Sequence, residues 1–264
     1  MSGHNTIITG AASGLGWAMT QVLLSRGDSV LMIDRDQSLL EQRQRESNDP
    51  KLHIGVADLS TSDGIDAAIA LIHATFTRVD ILINNAGITH RSLAANTRPE
   101  VFRQVMAVDW QAPVELATAL LPKLRASRGS IVNIGSMAGW MPVLGRAAYC
   151  SAKSALGQFF EVLRAEERDQ GVHVLMVYPA FVNTNIEQNA LGGDGGRARH
   201  ARSTVGGVSE AAPLAKQIIR ALEGRKPRLF PHRGIYLASL LWRLLPDLFH
   251  VAMRRKFAVE LRQH

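Results

Sequence analysis

The sequence predicts an α/β fold, in which a doubly wound parallel sheet carries helices on both faces and a helical tail follows. Two observations predict this class. Short runs rich in Val, Ile and Leu, bounded by Gly, Asp or Pro, alternate with longer runs that have the apolar spacing of helices. Alternation at this pitch favours parallel βαβ units with right-handed crossovers. Because no Pro- or Ser-rich linker and no internal repeat interrupts the 264 residues, we expect a single domain over 1–264.

The expected strands are short and apolar, as strands buried on both faces are. They are Asn5–Thr9, Ser29–Asp34, His53–Ala57, Ile81–Asn84, Ser130–Gly135 and His173–Tyr178, with a last strand at Arg228–Pro231. The helices expected between them are Leu15–Arg26, Gln37–Glu46, Ser62–Thr77, Pro99–Arg125 and Ala148–Asp169. Every predicted helix thus follows a predicted strand, as a doubly wound sheet requires.

One long segment, 185–207, departs from this alternation. It contains six glycines, together with Arg197, Arg199, His200 and Arg202. A loop of this length inside a compact domain is usually a lid or a disordered segment, and we interpret it as a substrate lid. Its arginines and histidine could meet an acidic substrate, although a solvated loop is the simpler interpretation.

Composition excludes several classes of protein. With 46% hydrophobic and 20% charged residues, the chain is typical of globular proteins and not of disordered ones. The single cysteine, Cys150, excludes a disulfide scaffold, and the nine histidines show no metal-ligand spacing, so we expect no metal. No apolar run approaches the roughly 18 residues of a membrane span, and no signal-peptide pattern opens the chain. We therefore expect a cytoplasmic protein.

The net charge of +7 lies at the C-terminal end. From 224 to 264 there are nine Lys or Arg and two acidic residues, and nine minus two accounts for the whole net charge. Residues 1–223 are therefore neutral overall, which argues against a nucleic-acid-binding surface.

A glycine-rich turn joins the first strand to the first helix, in the segment Thr9–Gly16. Gly10 permits a tight turn, Gly14 lets the backbone approach a pyrophosphate, and Gly16 allows the helix to pack closely on the strand. Amides at the helix N-terminus, including those near Ser13 and Leu15, then face the phosphates. The spacing is G-x-x-x-G-x-G and differs from the G-x-G-x-x-G pattern, so a purely structural turn is the alternative.

Asp34 ends the second strand, 20 positions after Gly14. A carboxylate there can accept hydrogen bonds from the adenosine ribose hydroxyls and repels a 2′-phosphate, which favours NAD over NADP. Arg35 argues for NADP, because it could pair with that phosphate. The alternative role for Asp34 is that of a helix cap.

Five motifs together resemble the short-chain dehydrogenase/reductase family. They are Thr9–Gly16, Asn84–Gly87, Ser136, Tyr149–Lys153 and Pro179–Thr184. Their order matches the single-domain members of the family, including the 13 positions between Ser136 and Tyr149. The resemblance covers roughly 5–231. It implies a Rossmann-like fold and an NAD(P)-dependent oxidoreductase that interconverts a secondary alcohol and a ketone. It also implies a homodimer or homotetramer, paired through the two long helices.

The catalytic residues expected from this resemblance are Ser136, Tyr149, Lys153 and Asp109. Tyr149 and Lys153 stand at i and i+4, so on a helix both side chains can reach one ligand. A free phenol has a pKa of about 10 and needs a neighbouring ammonium to act as an acid–base group at neutral pH. The family usually has Asn at the position of Asp109, where its main-chain carbonyl holds a water. A carboxylate there would compete with Tyr149 for the charge of Lys153.

The residues expected to hold the cofactor are Gly10, Ser13, Gly14, Leu15, Gly16, Asp34, Arg35, Asp58, Leu59, Asn85, Ala86, Gly87, Tyr149, Lys153, Pro179, Val182 and Thr184. Within this set the family implies that Asp58 meets the adenine ring and that Thr184 holds the carboxamide. Asp58 has an alternative role as the cap of the next helix. Family members usually have Pro-Gly where this chain has Pro179-Ala180. Because of Asp109, a non-catalytic dinucleotide-binding sensor or structural subunit remains the alternative function.

The tail, 234–264, is both apolar and basic. Pro246 is expected to split it into two helices and to occupy the first turn of the second. So much apolar surface needs a partner. It could cover the substrate pocket, pack against another subunit, or lie in a membrane interface with its cations on anionic lipid. We favour the first two, and we expect a small alcohol or ketone, with some apolar character, as substrate.

Overall fold

A parallel sheet forms the centre of the computed structural model, which describes residues 3–184, 186, 188–198 and 208–257. Seven strands pair in the order β3-β2-β1-β4-β5-β6-β9, and every pairing is parallel. They are β1 (Asn5–Thr9), β2 (Ser29–Asp34), β3 (Leu52–Val56), β4 (Ile81–Asn84), β5 (Ser130–Ile134), β6 (His173–Val177) and β9 (Arg228–Leu229). A separate pair joins β7 (Phe181–Val182) to β8 (Val208–Ser209).

Helices cover both faces of this sheet. They are α1 (Gly14–Ser25), α2 (Gln37–Ser47), α3 (Ser62–Thr75), α4 (Pro99–Met106), α5 (Ala112–Ser127), α6 (Met137–Trp140), α7 (Ala147–Glu166), α8 (Ala211–Glu223), α9 (Arg233–Leu244) and α10 (Pro246–Lys256). Neighbouring strand residues supply opposite cores: Ile7 packs with α3, α5 and α7, and Ile8 packs with α1 and α8. The predicted doubly wound architecture is confirmed.

The long helix predicted over Pro99–Arg125 is interrupted by a π-helical turn at Ala107–Gln111. Proline explains the interruption. Pro113 has no N–H, so it cannot donate to the carbonyl of Asp109, four residues earlier, and the α-helical ladder breaks there. The main-chain carbonyl of Asp109 therefore lacks the donor four residues on that a regular α-helix would supply.

The other predicted strands and helices begin and end within three residues of the observed ones. Helix α8 was not predicted, although its apolar residues pack on α1 and complete one face of the sheet. The tail forms two helices that break at Leu245, with Pro246 in the first turn of the second, as predicted. Residues 258–264 of the tail, and Arg199, His200 and Arg202 of the expected lid, lie outside the described residues. No helix in the described part of the chain is long and apolar enough to cross a membrane.

Candidate active site

The carboxyl ends of the central strands open into one cavity of about 740 Å³. This volume lies within the range of roughly 300–1,000 Å³ that is usual for small-molecule sites. The glycine-rich turn lines one end of the cavity, Ser136, Tyr149 and Lys153 line its middle, and residues of α9 and α10 line the other end. The parallel sheet therefore brings residues that are far apart in the sequence to one edge.

The glycine-rich turn has the backbone geometry that only glycine adopts easily. Gly10 and Gly14 have φ angles of 61° and 53°, in the left-handed region. A Cβ on Gly16 would stand 2.3 Å from the Gly10 carbonyl oxygen, so this glycine serves helix packing and does not line the cavity. The Asn85 side-chain amide donates to the carbonyls of Thr9 and Gly10, at 3.0 and 2.9 Å. Asn85 thus braces the turn from the neighbouring strand.

Asp34 is held at the edge of the cavity by two backbone amides. Its carboxylate accepts from Ala12 N at 3.1 Å and from Asp36 N at 3.2 Å. The cap of α2 is Asp36, whose side chain accepts from Leu39 N. The alternative role of Asp34 as a helix cap is therefore wrong, and its carboxylate is fixed beside the cavity.

Arg35 and Asp58 also line this end of the cavity. The Asp58 carboxylate accepts from the backbone amide and the hydroxyl of Ser60, and these bonds, with Arg35 nearby, lower its pKa. Thr61 caps α3 by accepting from Gly64 N, so the alternative that Asp58 caps this helix is also wrong. The other expected cofactor residues that border the cavity are Gly10, Ser13, Gly14, Leu15, Leu59, Asn85, Ala86, Gly87, Pro179, Val182 and Thr184.

Lys153 projects from α7 into the floor of the cavity and is only 4% exposed. Its ammonium donates to the Ile134 carbonyl at 3.0 Å, and it lies 5.8 Å from the centre of the Tyr149 ring. The spacing of four residues on one helix produces this proximity. The ammonium can therefore stabilise a negative charge that develops on the phenol.

Asp109 is fully buried and faces Lys153 from the π-helical turn. Its Oδ1 accepts from Ile88 N at 2.7 Å, and its Oδ2 lies 3.4 Å from the Lys153 ammonium. This contact is longer than a charge-assisted hydrogen bond of about 2.8 Å, so the two groups pair through charge. Burial raises the pKa of Asp109, and the neighbouring ammonium opposes that rise. Asp109 does not line the cavity itself.

Ser136 stands where β5 passes into the short helix α6. Its hydroxyl accepts from Ala138 N at 3.1 Å and so caps this helix. The Met137 amide donates to the Pro179 carbonyl at 2.9 Å, which fixes α6 against the end of β6. A hydroxyl that accepts this bond still has its own proton to donate into the cavity.

Apolar side chains line the half of the cavity beyond Tyr149. They come from the segment after Ser136, from the segment after β7 and from the tail: Met137, Met141, Pro142, Val143, Leu191, Ile235, Leu241, Phe249, Met253 and Phe257. Met141 thus borders the cavity, whereas Trp140 packs with Tyr178 and Phe230 behind it. One face of the tail therefore covers the pocket of its own chain. Of the three partners considered for the tail, namely the substrate pocket, another subunit and a membrane, this is the first.

Sequence reasoning missed several residues that border the cavity, among them Thr89, Gln104 and Arg146. The only signal available was proximity to a motif, since Thr89 follows Asn84–Gly87 by two residues and Arg146 precedes Tyr149 by three. Cys150 is partly buried and its Sγ contacts the Val143 carbonyl at 3.7 Å. Burial raises the pKa of this thiol, so a redox role has no support here.

The residues present fit a dinucleotide. Two glycines in the left-handed region, one before α1 and one at its first residue, border the cavity, and a fixed carboxylate at the last residue of β2 lies at the same end. A bound pyrophosphate would meet backbone amides of the turn, and the adenosine ribose would meet Asp34. The cavity continues without interruption from this end to Tyr149.

Comparison with known proteins agrees with this geometry. A model of the family described as short chain dehydrogenase matches residues 4–193. "Dehydrogenase/reductase SDR family member 7B" of Xenopus laevis is 35% identical over 262 residues, covering 94% of this chain and 80% of the relative. "Dehydrogenase/reductase SDR family protein 7-like" of Drosophila melanogaster is 31% identical, covering 99% of this chain and 82% of the relative.

Solved structures show the same fold. A short-chain dehydrogenase from Streptomyces avermitilis superposes with a TM-score of 0.82 at 28% identity, covering 97% of this chain and 98% of that one. A short-chain dehydrogenase from Sphingobium yanoikuyae in complex with NADPH superposes with a TM-score of 0.77 at 26% identity, covering 92% of this chain and 95% of that one. The chain therefore belongs to the short-chain dehydrogenase/reductase family of oxidoreductases, whose members use NAD(P).

Proposed function

We propose that this protein interconverts a secondary alcohol and a ketone, with NAD(P) as cofactor and Tyr149 as the acid–base group. One observation carries the proposal. The buried Lys153 ammonium lies 5.8 Å from the centre of the Tyr149 ring, and both side chains line one cavity with Ser136 and the glycine-rich turn. Membership of an oxidoreductase family supports it.

When bound, the nicotinamide supplies or accepts the hydride. The residues of the chain handle position and the proton. Ser136 donates to the substrate oxygen and holds it beside the Tyr149 hydroxyl, which gives up a proton during ketone reduction and takes one during alcohol oxidation. Lys153 stabilises the phenolate in both directions. The apolar walls of the cavity exclude water from this exchange.

We propose NAD as the preferred cofactor. Two backbone amides hold the Asp34 carboxylate at the place expected for the adenosine ribose, where its charge would repel a 2′-phosphate. Solved structures of this fold hold either form: the one from Burkholderia phymatum is a complex with NAD, and the one from Sphingobium yanoikuyae is a complex with NADPH. Arg35 also borders the cavity, so NADP remains the alternative.

The proposed substrate is a small and largely apolar alcohol or ketone. This follows from the walls beyond Tyr149, where methionine, leucine and phenylalanine side chains predominate. Apolar walls reward the burial of hydrocarbon, at about 25 cal/mol per Å².

A non-catalytic dinucleotide-binding role is the second candidate, and the contact between Asp109 and Lys153 favours it. The carboxylate competes with Tyr149 for the ammonium on which proton transfer depends. The backbone of Asp109 supports catalysis, because Pro113 denies its carbonyl the usual donor four residues on, and the family holds the water of its proton relay at this carbonyl.

The deciding experiment is a screen of secondary alcohols and ketones with NAD(H) and NADP(H), followed through the absorbance of the reduced nicotinamide. Turnover by the wild type that Tyr149→Phe loses would support the enzyme. Tight cofactor binding without turnover of any compound in the screen would support the sensor or structural subunit. Calorimetric titration of both cofactors accompanies each assay, so that loss of binding and loss of chemistry are separated.

We further propose a homodimer or homotetramer that pairs through the outer faces of α4, α5 and α7. Family members commonly assemble, and Val162 on the outer face of α7 is 49% exposed. Light scattering on the wild type and on Val162→Asp would test this assembly. The variant should show a lower mass, whereas a monomeric wild type would exclude the proposal.

A further inference from the structure

The C-terminal hairpin, defined here as residues 233–257, which include α9 and α10, has two apolar faces, and only one of them is covered. The inner face borders the cavity through Leu241, Phe249, Met253 and Phe257. Of these, Met253 and Phe257 are buried, at 7% and 5% exposure. The hairpin therefore forms part of the cavity wall.

The outer face carries most of the apolar side chains that the described chain leaves in solvent. Of the seven exposed large hydrophobic residues in that part of the chain, five belong to the hairpin: Leu237, Leu244, Leu245, Leu248 and Val251, between 48% and 75% exposed. Leu237 and Leu244 stand seven residues apart on α9, and Leu248 and Val251 stand three apart on α10, so each pair shares a helix face. Leu244 and Leu245 lie at the turn between the helices.

Closure of the hairpin on itself cannot bury this face. The two helices already meet through aromatic rings, with the Trp242 centroid 5.6 Å from Phe249 and 5.2 Å from His250. On the other side of α9, the Arg243 guanidinium lies 4.2 Å from the Trp140 ring and ties this helix to α6. These contacts fix the hairpin with its leucines outward, so their cover must come from outside the described chain.

Positive charge accompanies the exposed apolar face. The hairpin contains five Lys or Arg and one acidic residue, Asp247. Three of the cations, Arg254, Arg255 and Lys256, form the last turn of α10, and Arg255 continues the stripe of Leu248 and Val251 at i+7 and i+4. Within the described ranges, no carboxylate forms an ion pair with Arg254 or Arg255.

We propose that the outer face of the hairpin docks on an anionic lipid bilayer. Leucine and valine side chains would enter the boundary between headgroups and acyl chains, while the arginines contact lipid phosphates. A second copy of the chain fits less well, because two hairpins would bring ten Lys or Arg and only two carboxylates into one interface. Neither helix is long enough to span a bilayer, so the contact is peripheral.

Docking in this way would place the apolar end of the cavity beside the membrane, because the inner face of the same hairpin borders it. An apolar alcohol or ketone dissolved in the bilayer could then reach the site without crossing water. The docking itself does not depend on the proposed activity and is tested without it.

The test is sedimentation of the full-length protein with vesicles. Vesicles of phosphatidylcholine and phosphatidylglycerol, mixed roughly two to one, are compared with phosphatidylcholine alone. We expect pelleting with the anionic vesicles that falls when salt rises from about 0.1 M to about 1 M, since the Debye length then shrinks from about 10 Å to about 3 Å. Leu244→Ser/Leu248→Ser should lower the ratio of bound to free protein at least about tenfold.

A charge variant provides an independent arm. Arg254→Gln/Arg255→Gln should lower binding about 25-fold, because each cation near an anionic surface contributes about a factor of five and the two factors multiply. The controls outside the hairpin are Val56→Ser, a valine on β3 that is 48% exposed, and Arg168→Gln/Arg220→Gln, which replaces two exposed arginines. Both controls should bind as the wild type does, and circular dichroism checks that every variant is folded.

Three outcomes would overturn the proposal. The wild type could stay in solution with both kinds of vesicle, or the hairpin variants could pellet as well as the controls. Alternatively, the leucine variant could abolish an oligomer seen by light scattering while no variant binds vesicles, which would assign the face to a second copy of this chain.

Discussion

The Lys153 ammonium lies 3.4 Å from Oδ2 of Asp109, and both side chains are almost wholly buried. A buried ammonium with a carboxylate on one side and a phenol on the other divides its stabilising effect between them. The Gly87 backbone closes the space beside this pair, since a Cβ there would stand 3.4 Å from both the ammonium and Asp109 Oδ1. The protonation state of Asp109 therefore affects how strongly Lys153 favours the Tyr149 phenolate.

The first prediction is that Asp109→Asn leaves turnover unchanged or raises it. The amide oxygen can keep the hydrogen bond from Ile88 N, while the loss of charge frees the ammonium for Tyr149. The acid limb of the pH–rate profile for alcohol oxidation should move to lower pH, on the order of one unit, because the phenolate then meets an uncompensated cation. Steady-state kinetics across pH checks this. A large fall in turnover with an unchanged melting temperature would show that the carboxylate has a role of its own.

The second prediction separates chemistry from binding. Tyr149→Phe should retain cofactor affinity and lose at least about 100-fold in turnover, because it removes only the proton donor. Lys153→Ala should weaken both, since the family implies that this ammonium would also donate to the nicotinamide ribose hydroxyls. Calorimetry and kinetics on both variants provide the comparison. Full activity of the phenylalanine variant would exclude Tyr149 as the acid–base group.

The third prediction concerns the choice between NAD and NADP. Wild type should bind NAD(H) more tightly, and Asp34→Asn should reduce the preference about tenfold or more, since it removes the charge that repels a 2′-phosphate. Asp66→Asn is the control: it removes an exposed carboxylate of α3 that does not line the cavity. Fluorescence titration of both cofactors measures the ratio. A wild-type preference for NADP(H) would mean that Arg35 dominates at this position.

The glycine turn, Asp34 and the pair Tyr149 and Lys153 were predictable because each depends on local spacing. A strand followed by a glycine turn, and two residues four apart on a helix, fix their own geometry. Pro113 also signals the π-helical turn at Asp109, four residues earlier, because proline has no N–H to donate to that carbonyl. By contrast, the approach of Asp109 to Lys153 joins residues 44 positions apart and depends on how α4 and α7 pack.

The packing of the tail over the cavity could not be predicted either, because it depends on contacts between distant parts of the chain. Its amphipathic pattern and Pro246 predicted two helices, but which face meets the cavity depends on the aromatic packing of Trp140, Phe230 and Tyr236.

Helix α8 lacked strong capping signals: its N-cap, Glu210, makes no side-chain cap bond, and its first turn has no acidic residue. Its packing against α1 compensates for these weak ends.

A buried histidine beside the cavity leads to the last prediction. His90 is completely buried, and neither of its ring nitrogens has a hydrogen-bond partner among the described residues. Its ring packs against Phe102, 6.2 Å between centroids. Burial, with the Arg146 guanidinium nearby, lowers the pKa of His90 from 6.5 to about 4. The fold therefore favours the neutral imidazole.

We predict that His90→Leu makes the protein less sensitive to mild acid. As the pH falls below 6.5, His90 binds a proton in the unfolded chain but not in the folded one until the pH approaches 4. Stability is therefore lost across this window, by about 2 kcal/mol at pH ~5. Urea unfolding at neutral pH and near pH ~5 measures this loss of unfolding free energy. The wild type and His73→Leu, an exposed control, should both show it. In His90→Leu the loss should be smaller by about 2 kcal/mol. An equal loss in all three proteins would show that other groups cause the acid sensitivity.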